Sequence, residues 1–260
     1  MENVTSADGT VIAFDQLGAG PPLIVVAGAS CDRGADARVA DALAESFTVL
    51  NYDRRGRGDS TDTPPYAVER EVEDLAVLLD AAGGSAIVLG LSSGGALAAR
   101  AAASGLSVDR LVLWEPPFRL DPEGQRGSSE YAEQLGLLLA EDRRGDAMEL
   151  FMRMVGVPEE AIAGMRQSPY WAAGERLAPT LAYDAAVMGD SSVPVDRYAA
   201  VSAPTLVLAG GASPPWMRDS AEAASSAIPG SRTRVLEGQT HDVDAAVLAT
   251  AVRDFVEESR

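Results

Sequence analysis

Between residues 86 and 103 the chain passes from a short apolar run, Ala86-Ile87-Val88-Leu89, through Gly90-Leu91-Ser92-Ser93-Gly94, into a stretch of small residues ending at Ala103. This strand, turn and small-residue helix restrict the fold more than any other segment does. The chain has to reverse sharply at residue 92, and small side chains on both sides relieve the crowding and let the helix pack closely on a sheet. The reversal forces Ser92 into a strained backbone conformation with its hydroxyl above the sheet. A strand that feeds directly into a helix in this way belongs in a parallel sheet.

The rest of the first half alternates in the same manner, which is the mark of a mainly parallel sheet covered on both faces. Strands are expected at 10–15, after the Asp8-Gly9 turn signal, at 23–26, at 47–52, at 86–89 and at 110–114, where Pro116 and Pro117 end the run. Apolar residues three and four apart predict helices at 35–44 and 68–79, and the small residues of 94–103 predict a third. From Phe118 to about Ala200 the character changes, with charged and apolar residues mixed at helical spacing over 131–139, 146–154 and 158–165. The alternation resumes with a strand at 204–208, a helix at 217–227, a strand at 233–236 and a last helix at 243–257. The expected organisation is an α/β core made of residues 1–117 and 199–260, interrupted by a helical cap over 118–198.

A chain of 260 residues, 47% of them hydrophobic, can bury the core this requires. Acidic residues outnumber basic ones 39 to 21, and the formal charge of −18 repels phosphate backbones and anionic lipid surfaces. Neither nucleic acid nor a membrane is an expected partner. No apolar run approaches the roughly 20 residues that cross a bilayer, and Met1-Glu2-Asn3-Val4 has none of the basic and apolar character of a secretory signal, so a cytoplasmic location is expected. The one cysteine, Cys31, forms no internal disulfide, and one Cys with one His makes a poor zinc site. Cys31 reads as an inert small residue.

Ser92 is the candidate nucleophile, the alternative being a glycine-rich turn with no chemistry. A serine hydroxyl needs a base within hydrogen-bond reach, usually a histidine, and His241 is the only one in the chain. It stands in the loop between the last strand and the last helix, where the chain order nucleophile, acid, histidine places a base. The competing role for a lone histidine is a surface or helix-capping residue. Ser93, next to the nucleophile, would point its backbone N–H at a developing oxyanion.

With Asp53-Arg54-Arg55-Gly56-Arg57-Gly58-Asp59-Ser60, similar to a D-x-R-G-x-G-x-S segment, these features make the chain resemble the α/β-hydrolase superfamily over nearly its whole length. The resemblance implies an oxyanion hole formed by the backbone N–H groups of Ala29 and Ser93, although Ala27 stands where many members have histidine. It also implies an acidic third member after the seventh strand, yet Gly210-Gly211-Ala212-Ser213-Pro214 contains no acid. Glu115, ending the strand after the nucleophile helix, is the favoured acid, in an arrangement similar to zearalenone-type lactonases. Asp219 is the runner-up, and the alternative for Glu115 is a structural salt bridge. Arg54 and Arg55 are expected to brace loops by ion pairing. Trp114, Phe118, Tyr170, Trp171, Tyr183 and Trp216 are candidates for a substrate pocket beneath the cap, with core packing as the competing role.

The resulting expectation is a serine hydrolase with a Ser92-His241-Glu115 triad that cleaves an ester or lactone of a small to medium apolar substrate. It requires no metal or cofactor. Two alternatives remain open at this point: a non-hydrolytic enzyme on the same scaffold, such as a cyclase, lyase or cofactor-free perhydrolase, and an inactive ligand-binding protein.

Overall fold

The computed structural model describes residues 1–258. The apolar runs become strands: β1 (Glu2–Thr5), β2 (Val11–Leu17) and β3 (Pro22–Val26), then α1 (Ala37–Ala44), β4 (Thr48–Tyr52), α2 (Val68–Ala81), β5 (Ala86–Leu91), α3 (Ser93–Ala103) and β6 (Val108–Trp114). The chain then leaves the sheet for a helical insertion of α4 (Pro122–Ala140), α5 (Arg144–Met154), α6 (Glu159–Arg166), α7 (Trp171–Leu177), α8 (Leu181–Met188) and α9 (Val195–Tyr198). It returns as β7 (Thr205–Gly210), α10 (Pro215–Ala227), β8 (Arg232–Leu236) and α11 (Ala245–Glu258). Among the described residues the strands form one sheet in the order β1-β2-β4-β3-β5-β6-β7-β8. β1 and β2 run antiparallel to their neighbours, and every pairing from β4 to β8 is parallel.

Successive strand residues face opposite sides, so unbroken apolar runs feed two cores. Leu23 and Val25 pack with Val39 and Leu43 of α1 and with Leu248, Val252 and Phe255 of α11. Ile24 and Val26 pack on the other face with Leu75 and Leu78 of α2, Leu97 of α3 and Ala221 and Ala224 of α10. β5 and β7 are buried along their whole length, as central strands covered on both sides must be. The insertion has its own small core of Tyr131, Leu135, Ala147, Met148, Ala178 and Leu181, against which Ala29 of the sheet domain packs.

Two glycines permit the turn between β5 and α3. A Cβ at Gly90 would lie 2.5 Å from the Gly95 Cα, and one at Gly94 would be driven into the carbonyl oxygens of Val26 and Ala27. Backbone atoms on a buried sheet edge cannot retreat from such a contact. Gly94→Ala is therefore expected to destabilise the protein by at least about 1–3 kcal/mol, read as a lower urea midpoint.

The differences from the sequence-based reading lie where the hydrophobic pattern is weak. β1 was not anticipated, because it is an edge strand in which only Val4 is partly buried. α4 starts at Pro122 rather than near residue 131. Asp121 caps it by accepting from the Gly124 N–H at 2.7 Å, and its first two turns are too polar and glycine-rich to show a period. α8 was missed because Leu181-Ala182-Tyr183-Asp184-Ala185-Ala186-Val187 is apolar nearly all round.

Candidate active site

The sharp turn after β5 gives Ser92 φ 54° and ψ −124°, a conformation that costs a non-glycine residue energy and is kept only where the surroundings impose it. Its N–H donates to Trp114 O at 2.8 Å, which ties the turn to the end of β6, and its carbonyl accepts from Gly95 N at 2.8 Å. The Ser92 hydroxyl makes no capping bond to α3. Gly28, beyond the end of β3, lies beside it, for a Cβ there would be 3.2 Å from Ser92 Cβ and 3.8 Å from its Oγ. The absent side chain leaves room next to the hydroxyl.

Glu115 follows β6 directly, also at positive φ (42°), with its N–H donating to Leu208 O at 3.0 Å. Its carboxylate is fully buried. Oε1 accepts from the Gly210 N–H at 2.8 Å and Oε2 lies 2.7 Å from His241 Nδ1. Burial pushes the carboxyl pKa up, but His241, Ser213 and the Gly210 amide more than offset it and hold the group below the usual carboxylate value. The segment 210–214 thus carries no acid but supplies a donor to an acid from the neighbouring strand.

His241 sits in the loop between β8 and α11. Its carbonyl accepts from Trp114 Nε1 at 3.0 Å, and the loop is docked on the segment after β7 by Ala212 N to Gln239 O at 2.8 Å. With Glu115 accepting from Nδ1–H, the ring's Nε2 is left as a proton acceptor. Asp219 is exposed on α10 and does not enter the site.

The aromatic pocket expected from the sequence needs correction. Trp114 and Phe118 are sealed in the core, Trp114 bracing the His241 loop and Phe118 meeting Tyr198 edge-on with centroids 5.9 Å apart. Tyr170 is 82% exposed to solvent. The other three are half-buried and engaged: Trp171 donates to Glu175 at 3.0 Å, Tyr183 stacks on Tyr66 at 3.8 Å, and Arg119 covers Trp216 at 3.8 Å. The buried core of the insertion is made instead of Tyr131 and Leu135 of α4, Met148 of α5 and Leu181 of α8, with Trp171 packed against it.

Beside Ser92 lies a buried charge network that the sequence reading did not find in full. Arg54 forms a two-pronged pair with Glu71, both bonds 2.7 Å, and Arg55 pairs with Asp74 and Asp8. Arg54 and Arg57 also converge on Asp184 of α8, each at 2.7 Å, and Ser93 Oγ donates to the same carboxylate at 2.8 Å. Despite burial, the two guanidinium groups hold the Asp184 carboxyl below its usual value. The available signal was a lone acid inside an apolar helix, which when buried must find a cationic partner. Cys31 is half-buried, and burial and nearby acids push its thiol up to about 12, which disfavours the thiolate. Among the described residues no cluster of His, Cys, Asp and Glu could hold a metal ion, and no helix is long and apolar enough to cross a membrane.

Comparison with known proteins agrees with this architecture. Residues 18–258 match the model of an alpha/beta hydrolase family. An alpha/beta hydrolase from Sphaerobacter thermophilus is 50% identical over 98% of this chain and 100% of its own, with a TM-score of 0.89. A thermophilic esterase from Thermogutta terrifontis is 27% identical over 99% of both chains, with a TM-score of 0.74. The enol-lactonase from Burkholderia xenovorans, at 22% identity over 98% of this chain and 100% of its own and a TM-score of 0.68, shares the fold. By its fold, its strand-to-helix turn at Ser92 and this match along nearly all its length, the chain belongs to the α/β-hydrolase family.

Proposed function

We propose that the protein hydrolyses a carboxylic ester or lactone through an acyl-enzyme on Ser92. The observation that carries this reading is the 2.7 Å contact between a fully buried Glu115 carboxylate and His241 Nδ1, on the same sheet edge as the strained Ser92 turn. His241 Nε2 takes the Ser92 proton as Oγ attacks the carbonyl carbon, and Glu115 fixes the tautomer and stabilises the imidazolium. The N–H groups of Ala29 and Ser93 receive the oxyanion, where each donor contributes about 2.7–4 kcal/mol to the transition state. On collapse the alcohol oxygen leaves with the proton from His241. Water, deprotonated by the same ring, then cleaves the acyl-enzyme and releases the acid. With a lactone the departing alcohol stays tethered, and the product is a hydroxy acid.

The helical insertion acts as a cap in this reading. Ala29 packs under its core, and the Ser30 hydroxyl meets Met148 Sδ at 3.7 Å. The segment that carries Ala29 thus meets apolar side chains of the insertion, and the chain's charge of −18 disfavours anionic substrates. Small to medium neutral esters and lactones fit both features. The esterase among the similar structures supports this class.

The test is labelling of the intact protein with a fluorophosphonate, located by mass spectrometry, beside a panel of p-nitrophenyl esters and lactones. A single adduct on Ser92 together with turnover of at least one panel member is the expected result. An unmodified Ser92 would overturn the reading and favour ligand binding without catalysis.

A further inference from the structure

Asp184 is contributed by the insertion, yet among the described residues its carboxylate accepts hydrogen bonds from Arg54, Arg57 and Ser93, all of them outside the insertion and close to Ser92. It is 5% exposed. Oδ1 accepts from Ser93 Oγ at 2.8 Å and from Arg54 Nη1 at 2.7 Å, and Oδ2 accepts from Arg57 Nη2 at 2.7 Å. The arginines in turn hold backbone. Arg57 Nη1 donates to Gly28 O at 2.6 Å and to Cys31 O at 3.1 Å, and Arg54 Nη1 donates to Ala27 O at 3.2 Å. One carboxylate therefore gathers two separate pieces of chain: the segment 27–31, in which Ala29 lies, and Ser93 at the start of α3.

Those two pieces are the ones from which the oxyanion donors come in the reading proposed above, on which this inference rests. The Ala29 amide is bracketed by carbonyls that Arg57 grips at Gly28 and Cys31, and the Ser93 amide belongs to the residue whose side chain is tied to Asp184. Both arginines are at most 1% exposed, so the charges are desolvated and the geometry is stiff. Removing the central carboxylate would leave Arg57 buried without the carboxylate it pairs with, and the segment it holds would relax.

We infer that Asp184 is a positioning residue for the oxyanion hole, aligning the Ala29 and Ser93 N–H groups through Arg57, Arg54 and the Ser93 hydroxyl, so that seating of α8 on the core sets the catalytic geometry. The insertion then does more than shape the substrate pocket. It completes the site electrostatically.

The test compares wild type, Asp184→Asn and Ser93→Ala in kcat and KM on the best ester of the panel, and in affinity for a trifluoromethyl ketone, whose hemiketal carries the same oxyanion. Circular dichroism and thermal unfolding identify the folded variants. Asp184→Asn is expected to lower kcat by about 10- to 100-fold, as misplacement of donors by a fraction of an ångström does, with KM within about twofold. Ketone affinity should fall by the same factor as kcat. Ser93→Ala, which keeps the backbone donor and removes one tie, is expected to show the same pattern at about 3- to 10-fold. A folded Asp184→Asn with unchanged kcat and ketone affinity would overturn the inference. Should Asp184→Asn not fold, Ser93→Ala decides, and an unchanged ketone affinity there overturns it equally. Wild-type protein that forms no hemiketal on Ser92 would instead remove the hydrolase reading, and this inference with it.

Discussion

Ser92→Ala is expected to lower kcat on an activated ester by about a millionfold while the protein stays folded. In the proposed mechanism the loss is large because nucleophile, base and acid act as one unit, and what survives is the smaller acceleration from the oxyanion donors and substrate binding. Folding should be spared for a specific reason: the Ser92 hydroxyl makes no capping bond, whereas the backbone bonds from Ser92 N to Trp114 O and from Gly95 N to Ser92 O survive the change. Cys31 is a poor substitute nucleophile, since burial and nearby acids push its thiol up and disfavour the thiolate that would attack. Steady-state kinetics on the variant, with the fluorophosphonate adduct as a second readout, check this. A residual rate within tenfold of wild type would mean that another group performs the chemistry.

Glu115→Gln comes next, with an expected fall in kcat of about 10⁴-fold. The amide keeps the volume and an oxygen acceptor for the Gly210 N–H, but it presents an N–H donor to His241 Nδ1. The ring then carries its proton on Nε2 and cannot take the one from Ser92. Binding of an uncharged substrate analogue, followed by calorimetry, should stay within about threefold, which separates this effect from collapse of the loop. A stability signature accompanies it. The folded-state pKa of Glu115 is held below the ordinary 4.5, so its ionised form stabilises the protein fully above that value and the contribution is lost as pH falls through the lower folded value. The difference in unfolding free energy between wild type and Glu115→Gln should accordingly shrink on going from pH 7 to pH 3.

The central strands were legible in the sequence because they are buried on both faces. Leu23 to Val26 and Ala86 to Leu89 are short apolar runs bounded by glycine or proline, and that composition has few other uses in a folded chain. The positions of Ser92, Glu115 and His241 at the sheet edge were legible for a related reason. Each stands just past the end of a strand, and the chain order of such edges follows the order of the runs. The insertion was harder. Its helices bury narrow stripes, so exposed Tyr170 and inward Met148 look alike in a sequence without a sheet to fix their direction. Asp184 was hidden for a different reason: its partners Arg54, Arg57 and Ser93 lie some ninety to 130 positions earlier. No local pattern encodes a contact over that span.

The insertion leaves the sheet at the end of β6 and re-enters as β7, its immediate neighbour, in register from Leu111 opposite Thr205 to Trp114 opposite Leu208. Mechanically this is a detachable part: two adjacent attachment points through which a foreign lid could be spliced without moving Glu115 or His241. Electrically it is not detachable. A chimaera lacking an acid at position 184 would strand the Arg57 guanidinium in a dry interior, beside the Gly28 and Cys31 carbonyls that it holds. Any insertion spliced into this chain would therefore need a carboxylate that reaches Arg57, or the loss of Arg57 in the same exchange.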